Sequence, residues 1–247
     1  MRSSLRMRAA SPELMDEPGG GHELTAALRE LRRLNRLLGA APATRHGVVR
    51  LWERHGRPRR LRVLDAGSGG GDVNLSLLRW AEQAGVELHL TLVDRSAEAC
   101  AEARRLFVEH SNVEVVQADL YALATDSADI VTASQVLHHF ARPELPGAMR
   151  ALLRASRVGV VIGDIHRHRL AWLGVWVAAR LLRTGRYVRH DGPLSVARGF
   201  RSEDWAALQS ELGETAASFE VRWRPLFRYC VVAAKPAAGA AGGEPDA

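Results

Sequence analysis

The residues with chemistry to offer begin at Val63-Leu64-Asp65-Ala66-Gly67-Ser68-Gly69-Gly70-Gly71, where glycines at 67, 69 and 71 follow an acid at 65. A glycine-rich turn between a strand and a helix lets a ligand approach the backbone, because no side chain stands in the way. The dinucleotide pattern G-x-G-x-x-G, started at Gly67, requires glycine at 72, and Asp72 stands there instead. Two further acids, Asp94 and Asp119, close the apolar runs 88–94 and 113–119. Carboxyl ends of strands are where open α/β sheets hold ligands.

Histidines supply the candidate bases. His138-His139 follow the run 128–134, and His166 and His168 follow the run 158–164. An imidazole, with an unperturbed pKa of about 6.5, can accept the proton of a nucleophilic hydroxyl. Adjacent side chains diverge, so only one of His138 and His139 is expected to face a cleft, whereas Asp164, His166 and His168 share a face if the chain stays extended. His139 and His166 are the candidate catalytic residues, against the plainer alternative of a helix cap or a loop hydrogen bond. No carboxylate–amide set suits Mg²⁺, and the His-x-His at 166–168 lacks partners for zinc, so no metal is expected. Asn74-Leu75-Ser76 matches a glycosylation sequon in pattern only.

Strands and helices must position these groups. Segments 61–65, 88–94, 113–119, 128–134 and 158–164 read as short buried strands, with helices at 75–81, 96–107 and 143–155 between them. Such alternation gives a parallel sheet covered on both faces. Upstream, Leu24, Leu28, Leu31, Leu34 and Leu38 recur at helical spacing, and a second helix is expected over 44–55. Downstream, 167–183 reads as an unusually apolar helix, followed by an irregular stretch to Gly199. Ser202 is expected to cap a helix with Glu203 and Asp204 in its first turn, ahead of strands at 219–223 and 226–234. Residues 1–21 read as a flexible arm and 236–247 as a disordered tail.

Composition narrows the class. The 247 residues, 47% hydrophobic and 25% charged, suit one globular domain and exclude collagen-like, mucin-like and wholly disordered chains. Net charge is +6, yet residues 63–140 hold 4 arginines against 12 acids. An acidic centre suits a cationic or neutral ligand better than nucleic acid, whose binders gather cations on one reading element. Cys100 and Cys230 show neither CxxC nor zinc spacing, so a reducing, cytoplasmic setting is expected. The longest apolar stretch, 170–179, is half the ~20 residues a membrane-crossing helix needs, leaving peripheral membrane contact at most.

Taken in order, the D-x-G-x-G-x-G turn, Asp94, Asp119-Leu120 and Ala128-Asp129-Ile130-Val131 with Ser134-Gln135-Val136-Leu137-His138-His139-Phe140 resemble the class I S-adenosylmethionine-dependent methyltransferases, over residues 61–164. The resemblance implies an α/β, Rossmann-like, seven-stranded and mostly parallel sheet in the order 3-2-1-4-5-7-6, with strand 7 antiparallel. It implies S-adenosyl-L-methionine as cofactor, held by Asp65, Gly67, Ser68, Gly69, Gly71, Asp94, Arg95, Asp119, Leu120 and Ser134. Asp94 would grip the ribose hydroxyls, which need a bidentate acceptor, and Asp119 with Leu120 would lie beside the adenine. Asp65 is read as orienting the loop.

The same resemblance gives a domain plan: an N-terminal helical cap at 22–60 and a methyltransferase domain at 61–235, with a cap insertion at 167–200. Apolar caps imply a lipophilic small-molecule acceptor (a phenol, quinol or polyketide-like ring), O- rather than C-methylated, as in secondary metabolism. Methylation of ubiquinone and menaquinone precursors is the nearest analogy, and segment 189–195 looks like the loop after the cap in related bacterial enzymes. Two rivals stand. One is a nucleic-acid methyltransferase with Arg180, Arg183, Arg186, Arg189, Arg198 and Arg201 as a phosphate track. The other is a non-catalytic S-adenosylmethionine-binding module that controls a partner.

Overall fold

The computed structural model describes residues 5–16 and 21–235. The expected tail, and residues 1–4 and 17–20 of the expected arm, lie outside the described residues. Strands β1 (Arg60–Ala66), β2 (Glu87–Asp94), β3 (Val113–Gln117), β4 (Ala128–Ser134), β5 (Ser156–Ile165), β6 (Ser218–Arg224) and β7 (Arg228–Ala234) form one sheet in the order β3-β2-β1-β4-β5-β7-β6. β7 is antiparallel to both its neighbours, and every other pair is parallel. This is the Rossmann-like α/β arrangement expected. Along β5, Val160 and Ile162 enter one apolar cluster and Val161 the other. Burial on both faces is why these strands read as continuous apolar runs.

The helices are α1 (Gly21–Leu37), α2 (Ala40–Arg54), α3 (Leu75–Ala84), α4 (Ala97–Leu106), α5 (Leu145–Ala155), α6 (Arg169–Leu181), α7 (Arg186–Arg198) and α8 (Ser202–Leu212). One sheet face is covered by α2, α3 and α4 through Leu51, Leu77 and Ala103, the other by α5 and α8 through Met149, Leu152 and Trp205. A third cluster unites α1, α6 and α7 around Ile165 at the end of β5, through Leu34, Val175 and Val188.

Three expectations need correction. The cap expected over 22–60 is α1 alone: α2 packs on β4, β5 and β7 as a layer of the sheet. It also begins at Ala40 rather than residue 44, with Pro42 in the first turn, where no N–H is needed. The stretch expected to be irregular, including the presumed loop 189–195, is helix α7, although Gly192 and Pro193 sit inside it. Packing overrides propensity there: Val188 and Val196 are buried against α6, and a Cβ on Gly192 would meet Val175 Cγ1 at 2.9 Å. Finally, the N-cap of α8 is Arg201, whose N–H donates to Asp204 at 2.8 Å, and Ser202 is its first helical residue.

α2 sits close enough to the sheet that a Cβ on Gly47 would lie 2.3 Å from Val161 Cγ1 and 3.0 Å from Cys230 Sγ. Gly47→Ala therefore forces helix and sheet apart despite the better helix propensity of alanine. Urea unfolding is expected to show a loss of about 1–3 kcal/mol; an unchanged or raised midpoint would contradict this close approach.

Candidate active site

The chain turns sharply where β1 ends. Gly67, Gly69 and Gly71 have φ of 67°, 54° and 78°, a region glycine enters without steric cost. A Cβ at 67 would lie 2.6 Å from Val136 Cγ2, and one at 71 would lie 2.7 Å from the Phe107 ring, whereas position 69 has nothing within 4 Å. The outer glycines thus allow close packing and the middle one stays bare. Asp65, 1% exposed, accepts hydrogen bonds from Thr132 Oγ1 (2.7 Å) and Asn74 Nδ2 (2.6 Å). Burial pushes its carboxyl up to about 6, with those two hydrogen bonds opposing the rise. Both its oxygens are engaged, and they tie the turn to β4 and to the start of α3.

A cavity of about 990 Å³ opens at the carboxyl edge of the sheet, bringing together Gly67, Ser68, Gly69, Asp94, Arg95, Asp119, Leu120 and Ser134. Asp94 accepts the Gly69 N–H at 2.8 Å and the Ser96 N–H at 2.9 Å. A carboxylate has about four acceptor positions, so capacity for a diol remains. Ser68 Oγ is buried with no partner among the described residues. Asp119 takes the Tyr121 N–H at 2.8 Å, with Leu120 buried beside it, and Ser134 Oγ bonds Thr44 Oγ1 at 2.6 Å. Gly71 does not join this lining; it packs against Phe107 and Leu92.

Both His138 and His139 line the cavity, contrary to the expectation that only one would. They lie in a 3-10 turn rather than an extended segment, and their ring centroids are 4.3 Å apart. His138 Nδ1 is 2.8 Å from Asp164, and His139 Nδ1 is 3.0 Å from Asp16, which also pairs with Arg95 at 3.3 Å. Burial pushes the Asp164 carboxyl up, but the His138 charge and hydrogen bond outweigh it and hold the carboxyl below its ordinary value. Burial depresses His139, but Asp16 and Glu13 outweigh it and leave the imidazole pKa raised. In the neutral form of each ring, an Nδ1–H directed at its carboxylate leaves the lone pair on Nε2.

His166 does not join the pair. The chain leaves β5 after Ile165, and His166 bridges to Phe200 with its ring 5.1 Å from Tyr229, outside the cavity. Its ring packs instead among Tyr229, Phe227 and His168. His168 caps α6 by accepting the Leu170 N–H at 3.1 Å.

Residues 5–16, expected as part of a loose arm, form a strap over the histidines. Arg8 donates to the carbonyls of His138 and Phe140, both at 3.1 Å, and Asp191 accepts the N–H groups of Leu14 and Met15, both at 2.9 Å. Arg198, placed in the phosphate track of the nucleic-acid rival, is buried and donates instead to the carbonyls of His138, His139 and Ser11. The strap brings in Glu13, 4% exposed, which accepts from Ser195 Oγ at 2.9 Å and stands 3.7 Å from His138 Nε2. One ligand atom each of Glu13, His138 and His139 lie within 4.8 Å of one another, a convergence of electron pairs that would welcome a proton or a small cation. Neither Glu13 nor Asp16 had a sequence signal beyond being an acid far upstream of the histidines. On the other side α1 contributes Leu24, Leu28, Leu31 and Asn35, and is pinned to α4 by Arg29 and Arg32 on the buried Glu102.

Comparison with known proteins agrees with this architecture. Residues 63–159 match the family described as methyltransferase domain. No curated protein matches the chain. Among solved structures, a candidate S-adenosyl-L-methionine-dependent methyltransferase of Methanococcus maripaludis is 16% identical with TM-score 0.61, over 85% of this chain and 93% of that one. Magnesium protoporphyrin IX methyltransferase of Synechocystis PCC 6803, solved with S-adenosylhomocysteine, is 20% identical with TM-score 0.51, over 78% and 81%. The CMeT domain of the citrinin polyketide synthase is 16% identical with TM-score 0.53; the match covers 70% of this chain but spans only 46% of that one. Residues 63–159 thus match a methyltransferase domain, and the sheet that carries them has the Rossmann-like methyltransferase fold.

Proposed function

We propose that the protein transfers the methyl group of S-adenosylmethionine to a lipophilic small-molecule acceptor, at oxygen. The observation that carries this reading is one cavity that joins a bare glycine turn and a carboxylate with spare acceptor capacity to two carboxylate-held imidazoles. Three apolar side chains of α1, Leu24, Leu28 and Leu31, face the same space and suit an acceptor with an apolar ring. Polyketide and porphyrin enzymes among the similar structures support a small-molecule acceptor.

When bound, S-adenosylmethionine supplies an electrophilic methyl group on a positively charged sulfur. Asp94 holds the ribose hydroxyls while Gly67 and Gly69 leave the backbone open, and the orphaned Ser68 hydroxyl gains a partner. Asp119 and Leu120 flank the adenine, and Ser134 and Arg95 close the remaining walls. Asp65 acts at one remove, by fixing the turn. Acidic side chains around the cavity favour a cation there. His139, oriented by Asp16, takes the hydroxyl proton of the acceptor at Nε2, with His138 and Glu13 beside it to share the charge. Strap and α1 hold the acceptor in line and keep water out.

Calorimetry with S-adenosylhomocysteine tests the ribose grip: Asp94→Asn keeps the size of the side chain but loses its charge, and affinity is expected to fall about 10–100-fold. Equal affinity would remove Asp94 from that role. For the base, methyl transfer to a panel of phenols and quinols is expected to rise with pH as His139 becomes neutral, with a midpoint above the ordinary value of about 6.5. Asp16→Asn removes a charge that raises this pKa, so the midpoint should move to lower pH, and His139→Gln should flatten the limb. Unaltered profiles in both variants would dismiss His139. Transfer that vanishes with a chelator and returns with a divalent ion would assign the Glu13–His138–His139 group to a metal.

A further inference from the structure

Helix α6 turns an apolar stripe outward. Leu170, Leu173, Val177 and Leu181, spaced by three and four residues, fall on one face and are from 38% to 78% exposed. They run along ~16 Å of helix. The stripe continues past the start of α6, where the Phe227 ring stacks on His168, the capping residue, at 4.9 Å. Half-buried Phe227 belongs to the β6–β7 turn, where Leu226 is 53% exposed, and its ring also meets that of Trp223, 55% exposed near the end of β6. Isolated exposed leucines need no explanation, but a continuous apolar face of this kind marks an interaction surface.

Charge identifies what it meets. Positions 166–189 contain no Asp or Glu. Arg169, Arg180, Arg183, Arg186 and Arg189 are all exposed there, and only Arg186 has an ion-pair partner among the described residues. A face with aliphatic side chains in the middle and unneutralised arginines at its edges matches a lipid surface, where acyl chains lie beneath anionic headgroups. No described helix is long and apolar enough to cross a membrane, so contact would be in the plane of the interface. We propose that the α6 face, extended by the β6–β7 turn, docks the protein on an anionic bilayer surface. This surface is separate from the cavity and does not depend on the methyl-transfer reading.

Co-sedimentation of the full chain with phosphatidylcholine vesicles, with and without phosphatidylglycerol, tests it. The chain is expected to pellet with the anionic vesicles and to be released by salt, remaining largely in solution with the neutral ones. Arg180→Gln/Arg183→Gln/Arg189→Gln together should weaken partitioning on the order of a hundredfold, given the usual contribution of each arginine near such a surface. Leu173→Gln/Leu181→Gln should also abolish pelleting while leaving the circular-dichroism spectrum and the urea-unfolding midpoint unchanged, which shows the variant is folded. Failure to pellet with either vesicle, or equal pelleting with both, would overturn the proposal. So would a dimer in vesicle-free solution that Leu173→Gln/Leu181→Gln converts to monomer, since the face would then belong to a second copy of this chain.

Discussion

The carboxylate of Asp65, withdrawn from water, fixes everything that surrounds the cavity. It is bonded across to Thr132 on β4 and forward to Asn74 at the foot of α3, so β1, β4 and the first crossover are locked at one point. The glycine turn is stretched between Asp65 and that foot, and its shape follows from those two anchors. Burying a carboxylate costs free energy, visible in a pKa pushed up to about 6. The cost persists because the alternative, a turn free to drift, would move Asp94 and the open backbone at Gly69 out of register with each other.

A second set of carboxylates works differently. Asp164 and Asp16 each take a ring Nδ1 of a neighbouring histidine, and they come from opposite ends of the construction: one from the rigid end of β5, the other from the strap. The buried member of each pair is compensated by a partner in direct contact, which is what a charged group in such a place requires. The strap in turn is held by Arg198 and Asp191 on α7, so the helix that breaks the rules of propensity is also the one that supports the roof.

Much of this was legible in the residues. The parallel strands could be read because burial on both faces leaves uninterrupted apolar runs, and the order of acids after them located the carboxyl edge. Position 71 was read as part of the binding turn because spacing cannot distinguish a glycine facing a ligand from one facing Phe107. His166 could not be placed from its position after β5, because only contacts with Tyr229, Phe227 and His168 turn its ring away from the cavity. α7 was invisible since Gly192-Pro193 reads as a turn, and only contact with α6 makes it a helix. The strap had no signature at all: its bonds run from backbone groups and single arginines to distant residues, a pattern without period.

Glu13 and Asp16, which stand 3.7 Å from His138 Nε2 and 3.0 Å from His139 Nδ1, belong not to the walls of the cavity but to its roof. Asp16 is held beside His139 by a strap bonded to Asp191 and Arg198 on α7, so loss of those bonds would take from His139 the neighbour that orients it and raises its affinity for protons. The basicity of that imidazole is therefore governed in part from α7, through bonds to the backbone of residues 11, 14 and 15.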